Sequence, residues 1–366
     1  MPDYLLRRTR LRQLLSEAGC SGMLVSNVNN VRYLTGFTGD DSLLLITDRE
    51  ELLLSDPRYE IQLGQECPGL PLFIRKPSEL TMTVVGQQLK NRSLTNLVVE
   101  TGSMTVDQFD QIACELGTEK IVKGKVRVEA LREIKDLDEI ATIRRAIDVA
   151  ERVFTCVKAQ LTSRQTELDV SNELERLVRQ LGGSGCSFVP IVAVGPRAAL
   201  PHARAGKSEI GSDCFVLIDW GATVDGYRSD LTRVLLTSKI PPKFLLVYEK
   251  VLAAQKAAIA AMAPGVMVSE VDRIARSVIE AAGMGELFNH GLGHGIGLDI
   301  HEAPRLGKNH DRPLLPGMVV TVEPGIYISG WGGVRIEDDV LITESGCEVL
   351  SSLPSDLASN TVQLLS

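Results

Sequence analysis

The stretch Phe288–Glu302, FNHGLGHGIGLDIHE, holds three of the chain's five histidines: His290, His294 and His301. Glycines at 291, 293, 295 and 297 frame the middle one. A histidine set between glycines has no bulky neighbours, so a second backbone or an ion can come close. Acidic residues stand in apolar runs on both sides, Asp219 and Asp230 before the stretch and Glu323 and Glu337 after it. A buried carboxylate without a partner is costly. Salt bridging to Arg228, Arg233 or Arg335 would account for one acidic pair. Two pairs together with a glycine-framed histidine read as a metal site, for two ions. Mostly oxygen ligands with one imidazole suit Mn, Co, Fe or Zn and do not choose among them. Two ions bridged by carboxylates activate a water and polarise a carbonyl or phosphoryl group.

Hairpins and helices must position these residues. Cys214–Trp220 and Tyr227–Leu236 read as strands around Asp225-Gly226, a strong hairpin signal. A turn centred between Val224 and Asp225 sets Asp219 opposite Asp230, with facing side chains roughly 4.5–5.5 Å apart. A turn centred on Gly330 sets Glu323 opposite Glu337, with Arg335 on the same face. The order of elements repeats. A long helix over about 137–160 and a second helix opening at Thr166 lead to the first acidic pair. A long helix over about 242–262 and a second helix opening at Ser269 lead to the other. Both openings fit [ST]-x-x-[DE]. Thr166 to Ser269 is 103 positions, Asp219 to Glu323 is 104 and Asp230 to Glu337 is 107. A shared offset implies an internal duplication with the site between the halves.

The chain before this duplication has another pattern. An amphipathic helix over 5–18 carries Leu5, Leu11, Leu14 and Leu15 on one side. Short apolar runs at Met23–Val25, Leu43–Ile46, Leu52–Leu54, Leu72–Ile74 and Leu97–Val99 read as buried strands. Helical patterns lie around Tyr59–Gln65, Thr83–Leu89 and Val106–Leu116, which implies a small α/β domain. Asn30, Arg32 and Tyr33 fall at an expected loop. Asp136 with Glu139 resembles a capping box, and the boundary is set just before it, giving domains 1–130 and 131–366.

The 366 residues suit two domains. A net charge of −8 gives no basic surface for nucleic acid. The first fifteen residues lack the apolar core of a signal peptide, and no apolar run is long enough to span a bilayer. Seven cysteines without CxxC spacing argue for a reducing compartment, so the expectation is a cytoplasmic protein. No P-loop, HExxH or G-x-S-x-G is present. His310, between Asn309 and Asp311, reads as an exposed loop histidine.

Five stretches, Phe188–Ala203, Val216–Arg233, His290–Glu302, Thr321–Tyr327 and Gly333–Thr343, resemble the aminopeptidase P and prolidase family of metallopeptidases. Asn30–Gly36 and Leu43–Asp48 are similar to that family's creatinase-like N-terminal domain. The resemblance implies an α/β N-terminal domain and an α+β catalytic domain of the duplicated pita-bread fold. By position it implies that Asp219, Asp230, His294, Glu323 and Glu337 hold two divalent metals, Mn first, with Co, Zn or Fe as alternatives. It makes Asp230 and Glu337 the bridging ligands and Glu323 also a proton relay. It makes His202 and His301 catalytic and gives His290 and Arg335 contacts to substrate. The implied activity is Xaa-Pro aminopeptidase, with hydrolysis of the bond before proline by a hydroxide bridging the metals. The alternatives are an Xaa-Pro dipeptidase and a non-catalytic pita-bread binding protein. Arg335 does not separate the two peptidases, because it occurs in both. Arg197 and Arg204 are the other candidates to meet a free proline carboxylate. The resemblance also implies a homodimer.

Overall fold

Short runs of leucine, isoleucine and valine make a six-stranded sheet in the first of two units, which ends at Arg132; the second begins at Glu133. The computed structural model describes residues 2–92 and 94–365. The strands are β1 (Gly22–Val25), β2 (Ser42–Thr47), β3 (Glu51–Ser55), β4 (Leu72–Ile74), β5 (Leu97–Val99) and β6 (Ile121–Lys123), in the order β4-β3-β2-β1-β5-β6. β1 runs antiparallel to β2 and parallel to β5. The helices are α1 (Tyr4–Glu17), α2 (Val28–Thr35), α3 (Glu60–Glu66), α4 (Thr81–Lys90), α5 (Val106–Leu116) and α6 (Glu129–Arg132). All five expected strands and all three expected helical patterns are present, and β6 is additional.

Two expectations for this unit fail. Asn30, Arg32 and Tyr33 lie in α2, not in a loop. The fully buried Asn30 donates to Glu100 and Glu129 and accepts from Arg132, so its polarity serves a buried network. In α1 the buried face is Arg7, Leu11 and Leu15, while Leu5 is 61% exposed. Arg7 stacks its guanidinium 4.2 Å from the Tyr33 ring centre and donates to the Tyr33 carbonyl, which lets a charged residue take the inner position.

The second unit opens with α7 (Leu137–Ala159), started by Asp136 and Glu139 in a reciprocal capping box. Ile143, Ile147, Ala150 and Phe154 are buried along one face of it. Next comes α8 (Glu167–Gln180), capped by Thr166 and Asp169. Strands β7 (Gly185–Cys186), β8 (Ile191–Val194), β9 (Phe215–Trp220), β10 (Ala222–Val224), β11 (Tyr227–Arg228) and β12 (Leu231–Leu236) follow. The second half runs α9 (Pro242–Ala261), α10 (Val268–Ala281), β13 (Gly293–Gly295), β14 (Glu302–Leu306), β15 (Val319–Val322), β16 (Gly325–Ile328), β17 (Gly332–Arg335), β18 (Asp338–Ile342) and β19 (Cys347–Val349). The main sheets are β12-β9-β8 and β14-β13-β15-β18-β19, and a bridge from Thr232 to Glu337 joins them. One apolar core draws on both halves, from Phe215 and Val234 to Val271, Val320 and Val340.

The second helix of each half is present, but the openings differ. α10 begins at Val268 with no side-chain cap, so Ser269 lies inside the helix. The hairpin registers also differ from each other. Asp225 and Gly226 have φ of 45° and 80°, the signature of a two-residue type I′ turn. The turn therefore centres between these two residues, one position later than expected. Asp219 then faces Thr232 rather than Asp230, and Asp230 stands just ahead of β12. In the other hairpin the register Val322↔Asp338 and Gly325↔Arg335 is the one a centre at Gly330 gives. Glu323 and Glu337 occupy the break between its two paired segments, where side chains leave the ladder and turn to the cavity.

Candidate metal centre

The proposed ligands sit near strand ends, at a break, or, for His294, beside a register shift. Asp219 is the next-to-last residue of β9, Asp230 precedes β12, His294 is central in the three-residue β13, and Glu323 and Glu337 flank the break just described. β13 is short because its glycines let neighbouring chains close in. A Cβ on Gly293 would stand 2.0 Å from the Thr321 carbonyl oxygen, and one on Gly295 would stand 2.2 Å from that of Ala303. His294 is thereby pressed between β14 and β15.

The nine sequence-derived residues His202, Asp219, Asp230, His290, His294, His301, Glu323, Arg335 and Glu337 all line one cavity of about 1250 Å³. His310 is exposed, as expected of a loop residue, yet it lines the same cavity. Ligand atoms of Asp230, His294 and Glu337 all lie within 4.8 Å of one another. His294 Nε2 is 3.4 Å from Glu323 Oε1 and 3.6 Å from Asp230 Oδ2. His294 Nδ1 lies 3.0 Å from the Gly295 carbonyl, which can only accept, so Nδ1 carries the proton and Nε2 presents a lone pair. Burial lowers this imidazole's pKa to about 4 and keeps it neutral. With the acids ionised, this lone pair faces two acceptor oxygens, an arrangement that a cation or a proton held by one carboxyl relieves.

The carboxylates tell the same story. Burial first, and then the neighbouring acids, raise Asp230 and Glu337 well above the ordinary range. Burial pushes Glu323 up to about 8, against the pull of Arg335. Asp219 is raised by burial and partly restrained by Arg335, which donates to its Oδ2. Among the described residues, the buried oxygens Asp219 Oδ1 and Glu337 Oε1 have no hydrogen-bond partner. Orphaned buried acceptors, mutual repulsion and an aimed imidazole lone pair all fit a bound cation.

Neighbours beyond the ligand set hold these acids in place. Thr232 Oγ1 donates to Glu337 Oε2 at 2.6 Å, and Arg335 Nε donates to that hydroxyl at 3.2 Å. Arg335 Nη1 meets the Tyr327 hydroxyl at 2.8 Å, and His290 Nε2 meets it at 3.0 Å. A polar chain thus runs from His290 through Tyr327 and Arg335 to Asp219. Burial, then the charge of Arg335, lower His290 to about 4. The Asp230 amide donates to Asp339 at 3.1 Å, and Arg233 binds both the Glu337 carbonyl and the Asp338 carboxylate. Tyr327 lies within a stretch quoted above but drew no role there, since a tyrosine after glycine and isoleucine reads as core. Thr232, Asp339 and Arg305 gave no sequence signal. Arg305 lies opposite His294 in the β13–β14 pair and lines the cavity, without an ion-pair partner among the described residues. Arg197 is instead taken up by Glu167.

Residues 141–344 match the model of metallopeptidase family M24, and residues 7–134 match the creatinase/prolidase N-terminal domain. The chain is 34% identical over 351 residues to the Xaa-Pro dipeptidase of Pyrococcus furiosus, covering 96% of this chain and 99% of that one. Among solved structures it is similar to an Xaa-Pro dipeptidase from Bacillus anthracis, with TM-score 0.92, 36% identity and coverage of 97% and 99%. It is also similar to an X-Pro aminopeptidase from Thermotoga maritima, with TM-score 0.87, 33% identity and coverage of 96% and 100%.

Proposed function

From the premise that the chain belongs to metallopeptidase family M24, with a creatinase-like N-terminal domain and a pita-bread catalytic domain, we propose that this metal-dependent peptidase is an Xaa-Pro dipeptidase. The observation that carries the choice is Arg305, an unpaired cation on the cavity wall beside His294 and His301. Its charge, after burial, is the next cause lowering the pKa of His301. A dipeptide presents a free proline carboxylate within reach of the scissile bond, and a guanidinium recognises that group bidentately. The sequence reading preferred the aminopeptidase because no arginine beyond Arg335 had to face the site, with Arg197 and Arg204 as the other candidates; Arg204 lines the cavity on the His202 side, and Arg305 lines it beside His294 and His301. Arg305 reverses that preference, and the dipeptidases among the similar proteins support the reversal. The aminopeptidase is kept as the second reading because the cavity is several times larger than a dipeptide and one similar structure is an aminopeptidase.

Asp219, Asp230, His294, Glu323 and Glu337 would hold the metal, two ions in this reading, with Mn first among Mn, Co, Zn and Fe. When bound, divalent ions supply Lewis acidity and a nucleophile available at neutral pH. The protein's own groups do the rest. Glu323, at the edge of the acidic cluster, takes and returns a proton. His202 and His301 line the cavity from two separate loops and donate to the carbonyl oxygen or the leaving nitrogen as charge develops. Arg305 fixes the proline end, while Arg335 and Tyr327 keep Asp219 and His290 oriented. We further read the protein as cytoplasmic, supported by seven free cysteines, and as a homodimer, which sedimentation tests. Among the described residues no helix is long and apolar enough to cross a membrane.

Steady-state rates on Ala-Pro, Ala-Pro-amide and Ala-Pro-Ala test the dipeptidase reading. Arg305→Met is expected to raise KM for Ala-Pro by roughly 30–100-fold and to leave the amide nearly unchanged, as loss of a charged hydrogen bond predicts. Equal loss on both substrates, or faster turnover of Ala-Pro-Ala than of Ala-Pro, returns the choice to the aminopeptidase.

A further inference from the structure

Glu167 is fully buried, lies outside the metal centre and has no part in the chemistry above. It is the first residue of α8. Its Oε1 accepts from the Val194 amide at 2.9 Å and its Oε2 from the Gly206 amide at 2.8 Å. Arg197 Nε donates to both oxygens, at 2.9 and 2.8 Å, and Arg197 Nη2 donates onward to the Arg204 carbonyl. Val194 and Gly206 are the two ends of the loop that carries His202. A single carboxylate therefore ties both ends of the loop, with an arginine from inside the loop as its counter-charge, and the Leu168 amide adds a bond to the Gly206 carbonyl at 3.0 Å.

His202 makes no hydrogen bond or ion pair of its own among the described residues, although it lines the cavity. Its position therefore depends on the loop that carries it. The other side of the loop rests on β17, the strand that ends at Arg335. A Cβ on Gly333 would stand 2.2 Å from the Ala198 carbonyl oxygen, so this close approach requires glycine there. A buried ion pair adds little net stability over an apolar filling of the same space. What the Glu167 carboxylate provides that an apolar residue cannot is simultaneous capture of two backbone amides twelve residues apart.

We propose that Glu167, together with Arg197, is a positioning residue for the reaction, holding His202 at the substrate by fastening both ends of its loop. The proposal rests on the reading of His202 as a group that contacts substrate. Glu167→Gln replaces an acceptor oxygen with an NH2 that faces a backbone N–H. The expected result is a kcat on Ala-Pro lowered about 10–100-fold, with a smaller change in KM and unchanged metal content. Amide exchange at Gly206 accelerates in the same variant, with or without metal. In a His202→Ala background the same substitution costs less than about threefold, because the residue it positions is gone. Full multiplication of the two single effects overturns the proposal, as does an unchanged kcat in Glu167→Gln. Wild-type turnover in His202→Ala alone removes the role of His202, and that failure is visible before Glu167 is touched. If Glu167→Gln does not fold, Arg197→Met carries the same cycle, since the Arg197 side chain is 37% exposed.

Discussion

Around His294 Nε2, oxygens of Asp230 and Glu323 converge, and Glu337 closes the cluster. Asp230→Asn should therefore abolish metal retention and most turnover, whereas His310→Ala, at the cavity rim, should stay within about threefold of wild type. Metal content after desalting, measured beside kcat/KM, checks both. His202→Ala and His301→Ala should keep their metal and lose roughly 10²–10³-fold in kcat, the cost of one proton or oxyanion donor. Full activity in both variants would refute their roles. Asp219, Asp230, His294, Glu323 and Glu337 were legible in the sequence because acids in apolar runs and a histidine among glycines are each costly or unusual alone, whereas the roles given to His202, His290, His301 and Arg335 rested on the family resemblance. Arg305 was not legible. An arginine in EAPRL reads as a surface residue, and only the pairing of its strand with β13 brings it to the cavity.

At the scale of the element, β13 tolerates little change. Gly293→Ala forces a Cβ to within 2.0 Å of a backbone oxygen, so β13 must move and carry His294 with it. Loss of metal affinity together with a destabilisation of about 1–3 kcal/mol is expected, read by metal titration and thermal unfolding. Gly64→Ala is the matched control. Gly64 lies in α3 with nothing near its Cβ position, so that change should stabilise by about 0.5–1 kcal/mol. Elements were read well wherever apolar runs or capping residues marked them, as in β1 to β5 and α7. They were misread where geometry finer than composition decided. A type I′ turn moved one register, and a helix in which tertiary burial outweighed polarity hid Asn30 and Tyr33.

For the whole molecule, the raised acids tie stability to pH. Without metal, the folded state keeps protons on Asp230 and Glu337, and on Glu323 up to about pH 8, whereas the unfolded chain gives them up near pH 4. The folded protein then binds more protons than the unfolded one, so the contribution of these groups falls as pH rises between those limits. Bound metal replaces the protons and removes the loss. The gap in Tm between metal-loaded and metal-free protein should widen from pH 5 to pH 8, and a constant or narrowing gap would contradict the assignment. Two of the five proposed ligands come from the first half of the second unit and three from the other. Neither half closes a coordination shell alone, so cation affinity acts as a gauge of how tightly the halves are docked. Substitutions in the core they share, at Phe215 or Val320 for example, should register as weaker cation retention before any change in helical content.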